Sequence, residues 1–145
     1  MNYEIVNLEK KTVAGVSAQT NLNSPEASGV IGKLWENFYG GVYGQLNGKV
    51  NEKCIGLYTD YTQNGGYKVM VCSEVDTEEQ KSEVFQIPSG KYAKFVIRGH
   101  IVTAVQEFWQ NLWKMELERS FICDFEEYQG GDMNDMEIHI YISLK

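Results

Sequence analysis

One pattern of secondary structure is predicted twice along this chain, and this repeat restricts the fold more than any other feature of the sequence. Each copy contains a strand region, a helix and two further strands. The predicted segments are residues 3–20, 25–38, 55–61 and 67–72 in the first copy and residues 83–97, 101–115, 121–128 and 136–144 in the second. The two copies predict a domain with a pseudo-twofold axis.

Single residues repeat as well as whole elements. When Leu-Trp-Glu-Asn-Phe in the first helix is aligned with Phe-Trp-Gln-Asn-Leu in the second, Trp35 corresponds to Trp109. When Tyr-Thr-Asp-Tyr is aligned with Phe-Glu-Glu-Tyr, Thr59 corresponds to Glu126. The offset between the copies shrinks along the chain, which indicates an ancestral duplication rather than a solenoid array. We therefore expect one domain, residues 1–145, whose halves at about 1–76 and 83–145 pack together.

Composition limits the class of protein. Of 145 residues, 43% are hydrophobic, which is enough for a core without disulfides or metal. The net charge of −7 is spread along the chain without a basic stripe, so we expect no direct binding to nucleic acid. The sequence has no long apolar run and no signal-peptide pattern, which predicts a cytoplasmic protein that does not contact membranes. The three cysteines are expected to be reduced and structural.

Two acidic side chains, Glu126 and Glu127, lie in a strand that should be largely buried. Strands disfavour Glu, and neighbouring side chains alternate between the two faces, so only one of these acids can face inward. If Glu126 faces inward with Tyr128, its carboxylate is protonated through a raised pKa, pairs with a donor such as Tyr128, or receives a cationic ligand. The alternative is an exposed edge strand. For Glu127 we expect exposure to solvent.

The second helix has two apolar stripes where packing on a sheet needs one. Trp109 and Trp113 belong to the extra stripe. Trp35 and Tyr39 are their counterparts in the first helix, so large aromatic side chains are expected on both sides of the axis. Such rings line small-molecule clefts and also fill ordinary cores, and both interpretations stay open here. We expect Gly40-Gly41 to end the first helix and a mobile rim loop to follow.

Other kinds of site find little support in the sequence. His100 and His139 do not lie at metal-ligand spacing from each other or from a cysteine, so we expect no metal site. No elbow motif surrounds a serine or cysteine, and no glycine-rich phosphate loop follows a strand. These features argue against nucleophilic hydrolases, kinases and dinucleotide enzymes, and we expect no cofactor.

Five short motifs follow one another along the chain. They are Ile55-Gly56-Leu57-Tyr58-Thr59-Asp60-Tyr61, Ile87-Pro88-Ser89-Gly90-Lys91-Tyr92-Ala93, Phe108-Trp109, Phe125-Glu126-Glu127-Tyr128 and Ile140-Tyr141-Ile142. Each motif is weak by itself, but their order, their spacing and the duplication give a pattern that covers the whole chain. Together they resemble the GyrI-like family of bacterial effector-binding domains.

The resemblance implies an α+β fold of two SHS2-type strand-helix-strand-strand units. It implies a curved antiparallel sheet with both helices on one face and a central ligand cleft. In that family a Phe-Glu-x-Tyr strand brings a glutamate into the pocket, and Glu126 is the position that matches. The residues predicted to bind ligand with it are Trp35, Tyr58, Trp109 and Tyr141, to which the extra helix stripe adds Trp113. The larger regulators of the family carry a helix-turn-helix region that this sequence lacks, so direct control of transcription is not implied.

Three hypotheses for function follow from the resemblance and the residues. The first is a standalone effector-binding or drug-sequestering protein for small amphipathic, aromatic or cationic molecules, of the multidrug-binding kind. The second is a hydrolase of reactive electrophiles, in which Glu126, helped by Tyr128 or Tyr141, activates water. The third is an aromatic surface that binds a protein partner or forms a homodimer. The first is the function we predict.

Overall fold

The strands and helices occur in the order that the repeat predicts. The computed structural model describes residues 1–145, apart from the side chains of Ala27 and Ser28. The elements are β1 (Glu4–Leu8), β2 (Lys11–Asn21), α1 (Ala27–Asn37), α2 (Tyr43–Gln45), β3 (Cys54–Thr59), β4 (Gly66–Glu74), β5 (Glu83–Ile87), β6 (Gly90–Gly99), α3 (Thr103–Leu112), β7 (Arg119–Tyr128) and β8 (Met136–Leu144).

All eight strands form one curved antiparallel sheet in the order β1-β6-β8-β7-β3-β4-β2-β5. Helix α1 packs on β2 and β4, and α3 packs on β6. Both helices lie on the same face of the sheet. Trp35 of α1 contacts Tyr128, and Trp109 of α3 contacts Glu126, and these two residues of β7 point to the same side. This α+β architecture confirms the fold class predicted from the sequence.

Each strand region predicted at the start of a repeat is two strands. β1 pairs with β6, whereas β2 pairs with β4 and β5, so the short link between Leu8 and Lys11 joins the two ends of the strand order, which the curvature of the sheet brings together. In the second copy Pro88 lies between β5 and β6, where its missing N–H does not interrupt a ladder. Each half therefore sends its first strand to an outer edge of the sheet, next to the second strand of the other half.

The regular α-helix ends at Asn37, and the chain kinks at Gly41, whose φ of 178° and ψ of −41° are not helical, so the first helix does break near the predicted Gly40-Gly41 position. The predicted rim loop is wrong, because a second short helix follows the kink. Residues Phe38–Val42 form a π-helical turn that leads into α2. Phe38 is fully buried, and its ring packs edge-on against Tyr39 and Tyr43 at centroid distances of 5.7 and 5.6 Å. This aromatic packing joins the helical segments on the two sides of the kink.

Side chains of the central strands alternate between two apolar layers, one on each face of the sheet. On the face that the helices cover, Ile140 of β8 packs with Phe108 of α3. On the opposite face, Phe125 of β7 packs with Tyr141 of β8. Because Glu126 follows Phe125 in an extended strand, its side chain points toward the helices.

The register of the sheet shows how the two halves correspond. Exchanging β1 with β5, β2 with β6, β3 with β7 and β4 with β8 reverses the strand order and leaves the sheet unchanged. Under this exchange the cross-strand pair Ile55–Cys72 matches the pair Phe125–Tyr141. The sheet therefore has a pseudo-twofold axis between β3 and β7.

The axis passes through the central cross-strand pair, in which Gly56 of β3 lies opposite Glu126 of β7. Gly56 is thus the counterpart of Glu126, and Tyr58 is the counterpart of Tyr128. The sequence alignment that made Thr59 the counterpart of Glu126 is wrong, because Thr59 and Glu126 point to opposite faces of the sheet.

Candidate functional site

The carboxylate of Glu126 lies near the pseudo-twofold axis and is almost completely enclosed, with 1% of the residue exposed. Three side chains donate hydrogen bonds to it. The hydroxyl of Tyr58 and the indole Nε1 of Trp109 donate to Oε2 over 3.0 and 2.7 Å. The hydroxyl of Tyr128 donates to Oε1 over 2.7 Å. All three donors are neutral, so they satisfy the oxygens without neutralising a charge.

Two tyrosine–tryptophan pairs flank this carboxylate. The ring of Trp109 meets that of Tyr58 edge to face at a centroid distance of 5.5 Å, and Trp35 meets Tyr128 in the same way at 5.3 Å. The axis relates one pair to the other, because Trp35 corresponds to Trp109 and Tyr58 to Tyr128. Each pair takes one ring from each half, so the cluster forms only when the two halves pack together.

Gly56 provides the space that the carboxylate needs. A Cβ added to Gly56 would lie 3.0 Å from Oε1 of Glu126, closer than ordinary van der Waals contact. The same Cβ would lie 3.8 Å from ring atoms of Trp35 and of Tyr128. Since the two positions face each other at the axis, a glycine in one half leaves the glutamate of the other half the closest fit.

Burial determines the charge balance of the cluster. Removal from water raises the pKa of Glu126, although the hydrogen bonds from Trp109, Tyr128 and Tyr58 act in the opposite direction. Burial, followed by the nearby Glu126 carboxylate, raises the pKa of Tyr58 and of Tyr128, so both remain protonated donors. Among the side chains that the structure describes, no lysine, arginine or histidine forms an ion pair with Glu126. An ionised Glu126 is therefore a buried charge without a fixed counter-charge.

A second acid, Asp124, lies two residues before Glu126 on the same face of β7 and is fully buried. Nη2 of Arg119 and the hydroxyl of Tyr61 each donate to its Oδ2 over 2.7 Å. The backbone N–H of Ser143 donates to Oδ1 over 2.9 Å. Sequence reasoning missed Asp124, although the alternation that directs Glu126 inward directs Asp124 inward as well. Asp124 has the fixed cation that Glu126 lacks.

The sequence from residue 4 to residue 144 matches the family model described as Cass2, integron-associated effector binding protein. The chain belongs to this family. No match was found among curated proteins. The Cass2 match spans both halves of the sheet and every residue of the glutamate cluster.

Solved structures share the fold of this Cass2-family chain. An integron cassette protein from Vibrio cholerae is 29% identical, with a TM-score of 0.76 over 97% of this chain and 95% of that one. SAV2435, in a structure bound to tetraphenylphosphonium, is 22% identical, with a TM-score of 0.75 over 99% and 94%. The C-terminal domain of EcmrR is 15% identical, with a TM-score of 0.62 over 100% and 99%. The effector-binding family model and the fold shared with these neighbours confirm the resemblance stated from the sequence.

The structure brings together most of the residues predicted to bind ligand, namely Glu126, Trp35, Tyr58 and Trp109, with Tyr128 beside them. Tyr141 is not part of this group, because its ring stacks on Phe125 at 4.7 Å on the opposite face of the sheet. Trp113 is not part of it either, since it follows α3 at the surface with 59% of the residue exposed. Tyr141 and Trp113 therefore lie outside the glutamate cluster.

The expectation that Glu127 is exposed to solvent is wrong, since only 8% of the residue is exposed. Its Oε1 lies 3.7 Å from Nζ of Lys53 and accepts a hydrogen bond from Nε2 of Gln129 over 2.9 Å. β7 is a central strand with β3 and β8 on its two sides, so Glu127 does not lie at an exposed edge of the sheet. Glu127 points away from Glu126 and has a cation of its own nearby.

Other features of the molecule bear on the remaining expectations. Among the described residues, no helix has both the length and the apolar character needed to cross a membrane. The same residues contain no group of three or more His, Cys, Asp or Glu placed to hold a metal ion. Cys54, Cys72 and Cys123 are buried and free, as expected. A surface cavity of about 390 Å³ lies beside α1 and β2 and includes none of the residues of the glutamate cluster.

We expect the effect of Glu126 on stability to depend on pH. Because its pKa is raised in the folded chain, the folded state holds this proton more tightly than the unfolded chain does. The contribution is fully present below the ordinary glutamate value of 4.5 and is lost as the pH rises through the folded pKa. The free energy of unfolding of the wild type, relative to that of Glu126→Gln, should therefore fall as the pH rises above the ordinary glutamate value of 4.5 in urea titrations. A difference that is constant or rises with pH would contradict the raised pKa.

Proposed function

We propose that the chain binds small cationic molecules with aromatic or apolar substituents, and that Glu126 supplies the opposite charge. The proposal rests on one observation: the buried carboxylate of Glu126 has three neutral donors and no ion pair with any described side chain. A buried charge without a counter-charge is unfavourable. A cationic ligand removes that unfavourable term, so the site is selective for positive charge.

The aromatic side chains around the carboxylate suit the same class of ligand. Trp35, Tyr58, Trp109 and Tyr128 offer large apolar surfaces that can contact the substituents of the ligand, and aromatic faces attract cations. Because only 1% of Glu126 is exposed, a ligand reaches it when one of these rings turns aside. We therefore propose that the central cleft opens between α1 and α3 as the ligand binds.

The comparisons support this class of ligand. The family is described as effector binding, and SAV2435 was solved with tetraphenylphosphonium, a cation that carries four aromatic rings. We propose for this chain the role of a cytoplasmic effector-binding or drug-sequestering protein that does not contact nucleic acid directly. The hydrolase alternative has Glu126 and Tyr128 in place, but the carboxylate is enclosed by donors that a water molecule would have to displace.

Tetraphenylphosphonium should change the tryptophan fluorescence in a saturable, stoichiometric way, because Trp35 and Trp109 border the proposed site. Triphenylphosphine oxide, which has similar rings but no net charge, should bind at least about tenfold more weakly. Titrations of both compounds at one pH give the comparison. The proposal fails if the cation gives no saturable change or if both compounds bind equally well. Mass analysis of electrophiles recovered after incubation tests the hydrolase alternative, which requires product to form.

A further inference from the structure

The cavity beside α1 and β2 is separate from the glutamate cluster and has a volume of about 390 Å³. Small-molecule pockets in proteins have volumes of about 300 to 1,000 Å³, so this cavity is large enough for a ligand of its own. Its walls are formed by α1, β2, the turn into α2 and the segment that leads into β5. The cavity therefore lies at the β5 end of the sheet, away from the axis.

The pseudo-twofold axis relates this cavity to a position at the β1 end of the sheet. Val71 of β4 and Ile140 of β8 are counterparts, because they pair with the two central residues of β3 and β7 at the axis. Val71 also pairs with Val16 of β2, and Ile140 also pairs with Phe95 of β6. Val16 is therefore the counterpart of Phe95.

Two further residues of the cavity have counterparts at the β1 end. β5 pairs with β2 in the register in which β1 pairs with β6, which makes Ser82 the counterpart of Tyr3. The alignment of the two helices makes Leu34 the counterpart of Phe108. Ser82, Val16 and Leu34 all line the cavity, and each has an aromatic counterpart.

The three aromatic side chains at the β1 end pack on one another. The ring centroid of Tyr3 lies 5.2 Å from that of Phe95, and Phe95 meets Phe108 edge-on at a centroid distance of 5.0 Å. Phe95 and Phe108 are buried, and Tyr3 covers them from the surface with 42% of the residue exposed. The ring of Tyr3 thus occupies the place that the β5 end leaves as a cavity.

The smaller residues at the β5 end do not improve the packing of the fold. The hydroxyl of Ser82 is shielded from water and has no hydrogen-bond partner among the described residues, which is unfavourable. Val42 and Gln45 add a wall from the turn and from α2, which have no counterpart at the β1 end because β7 is the next element after α3. The smaller side chains and the added wall make a place for a ring that the chain does not supply.

The charges at the cavity do not favour a charged ligand. Lys81 and Glu83 line it with opposite signs, and Oε1 of Glu83 already lies 2.7 Å from Nζ of Lys68. The exposed side chains of Asn37 and Gln45 also line it, and an amide can both donate to and accept from a hydroxyl group. A neutral ring that carries a hydroxyl group fits these surroundings.

We propose that this cavity is a second binding site, for a neutral phenol whose ring takes the place that Tyr3 takes at the β1 end. The inference goes beyond the proposed function and does not depend on it, because no residue of the glutamate cluster lines the cavity. Burial of the ring against Val16, Leu34 and Val42 supplies the main favourable contribution. The amide of Asn37 or Gln45 forms a hydrogen bond with the hydroxyl group.

The probe is p-cresol, which is the side chain of tyrosine as a free molecule. In NMR titrations of the full chain, the backbone amide signals of Val16, Leu34 and Glu83 should shift in a saturable way, with a Kd on the order of 1 mM or lower. Glu126→Gln should change this Kd by less than about twofold, because Glu126 does not line the cavity.

The absence of a saturable shift would overturn the proposal. Shifts that centre on the glutamate cluster and disappear in Glu126→Gln would overturn it too, since p-cresol would then bind at the other site. In both cases the tetraphenylphosphonium titration still decides separately whether the proposed function stands.

The binding position is tested by Ser82→Tyr, which introduces at the β5 end the ring that Tyr3 provides at the β1 end. We expect this variant to raise the Kd of p-cresol at least about tenfold, because its own ring fills the cavity. It should melt at the same temperature as the wild type or higher, since a cavity is filled and an unpaired hydroxyl is removed. Ser89→Tyr, in the exposed turn between β5 and β6, is the matched control and should leave the Kd unchanged.

An unchanged Kd for p-cresol in a folded Ser82→Tyr protein would overturn the assigned position. If thermal melting shows that this variant does not fold, Val16→Phe provides the second test, because it introduces the counterpart of Phe95 into the cavity wall. The Kd of p-cresol should then rise at least about threefold, and an unchanged Kd would overturn the assigned position.

Discussion

Replacing Glu126 with glutamine should weaken the binding of tetraphenylphosphonium by about 1 to 3 kcal/mol, the range typical of contacts to a charged group. Glutamine keeps the length of the side chain, and its carbonyl oxygen can still accept hydrogen bonds from Tyr58 and Trp109. The loss therefore reports the charge rather than the shape of the site. Fluorescence titrations of the wild type and the variant at the same pH measure the effect.

Glu127→Gln is the matched control for this prediction. Glu127 points to the face of β7 opposite to that of Glu126, and its Oε1 lies 3.7 Å from Nζ of Lys53. It should change the affinity by less than about twofold. Thermal stability provides a second control: Glu126→Gln should leave it unchanged or raise it, since a buried charge without a partner is removed. Equal losses of affinity in both variants, or a loss that follows a drop in stability, would show that Glu126 does not act through its charge.

The inward position of Glu126 at the centre of the sheet could be predicted because two independent signals agree. Strand alternation allows only one of Glu126 and Glu127 to face the helices, and the family motif selects the first. Trp35 and Trp109 could be predicted to lie on the two sides of the axis, since the repeat in the two helices makes them counterparts. These residues lie on regular elements, where period and face are determined locally.

The counterpart of Glu126 could not be predicted in the same way. The chemical likeness of Tyr-Thr-Asp-Tyr and Phe-Glu-Glu-Tyr favours Thr59, whereas the pairing of β3 with β7 makes Gly56 the counterpart. A glycine and a glutamate have no likeness that an alignment would detect. Their relationship is steric and appears only when the two strands lie side by side at the axis.

Two other residues predicted to bind ligand, Tyr141 and Trp113, lie away from Glu126 for different reasons. Ile138, Ile140 and Ile142 mark the helix-facing side of β8, which already places Tyr141 on the other face. Alternation alone could thus have separated Tyr141 from Glu126. For Trp113 no such signal exists, because its exposure depends on where α3 ends, and helix ends are difficult to locate from sequence.

The two inward acids of β7 differ in one physical respect, which gives them different roles. Asp124 has the Arg119 guanidinium at 2.7 Å, so the protein itself completes its ion pair. Glu126 has only neutral donors, and in the proposed function its counter-charge comes from a ligand. Removing charge at the first site should therefore affect folding, and removing charge at the second should affect binding.

Replacing Arg119 with methionine should accordingly lower the free energy of unfolding by about 3 to 5 kcal/mol, the range for removing one partner of a buried ion pair. Asp124 is fully buried, and the hydroxyl of Tyr61 and the N–H of Ser143 donate to it without neutralising its charge. Methionine keeps an unbranched apolar side chain in place of the arginine stem, so the loss reports mainly the unpaired carboxylate. Urea unfolding at about pH 7 measures the change.

Lys53→Met is the control for this second prediction, because Nζ of Lys53 lies 3.7 Å from Glu127 and the lysine side chain is 39% exposed. An ion pair with an exposed partner contributes about 0 to 1 kcal/mol, so this variant should be nearly as stable as the wild type. Adding Asp124→Asn to Arg119→Met should restore part of the lost stability, since no buried charge then remains at the site. The prediction is wrong if Arg119→Met lowers the free energy of unfolding no more than Lys53→Met does, or if the double variant is less stable than Arg119→Met. In either case the ion pair does not stabilise this part of the fold, and the contrast between Asp124 and Glu126 has no physical basis.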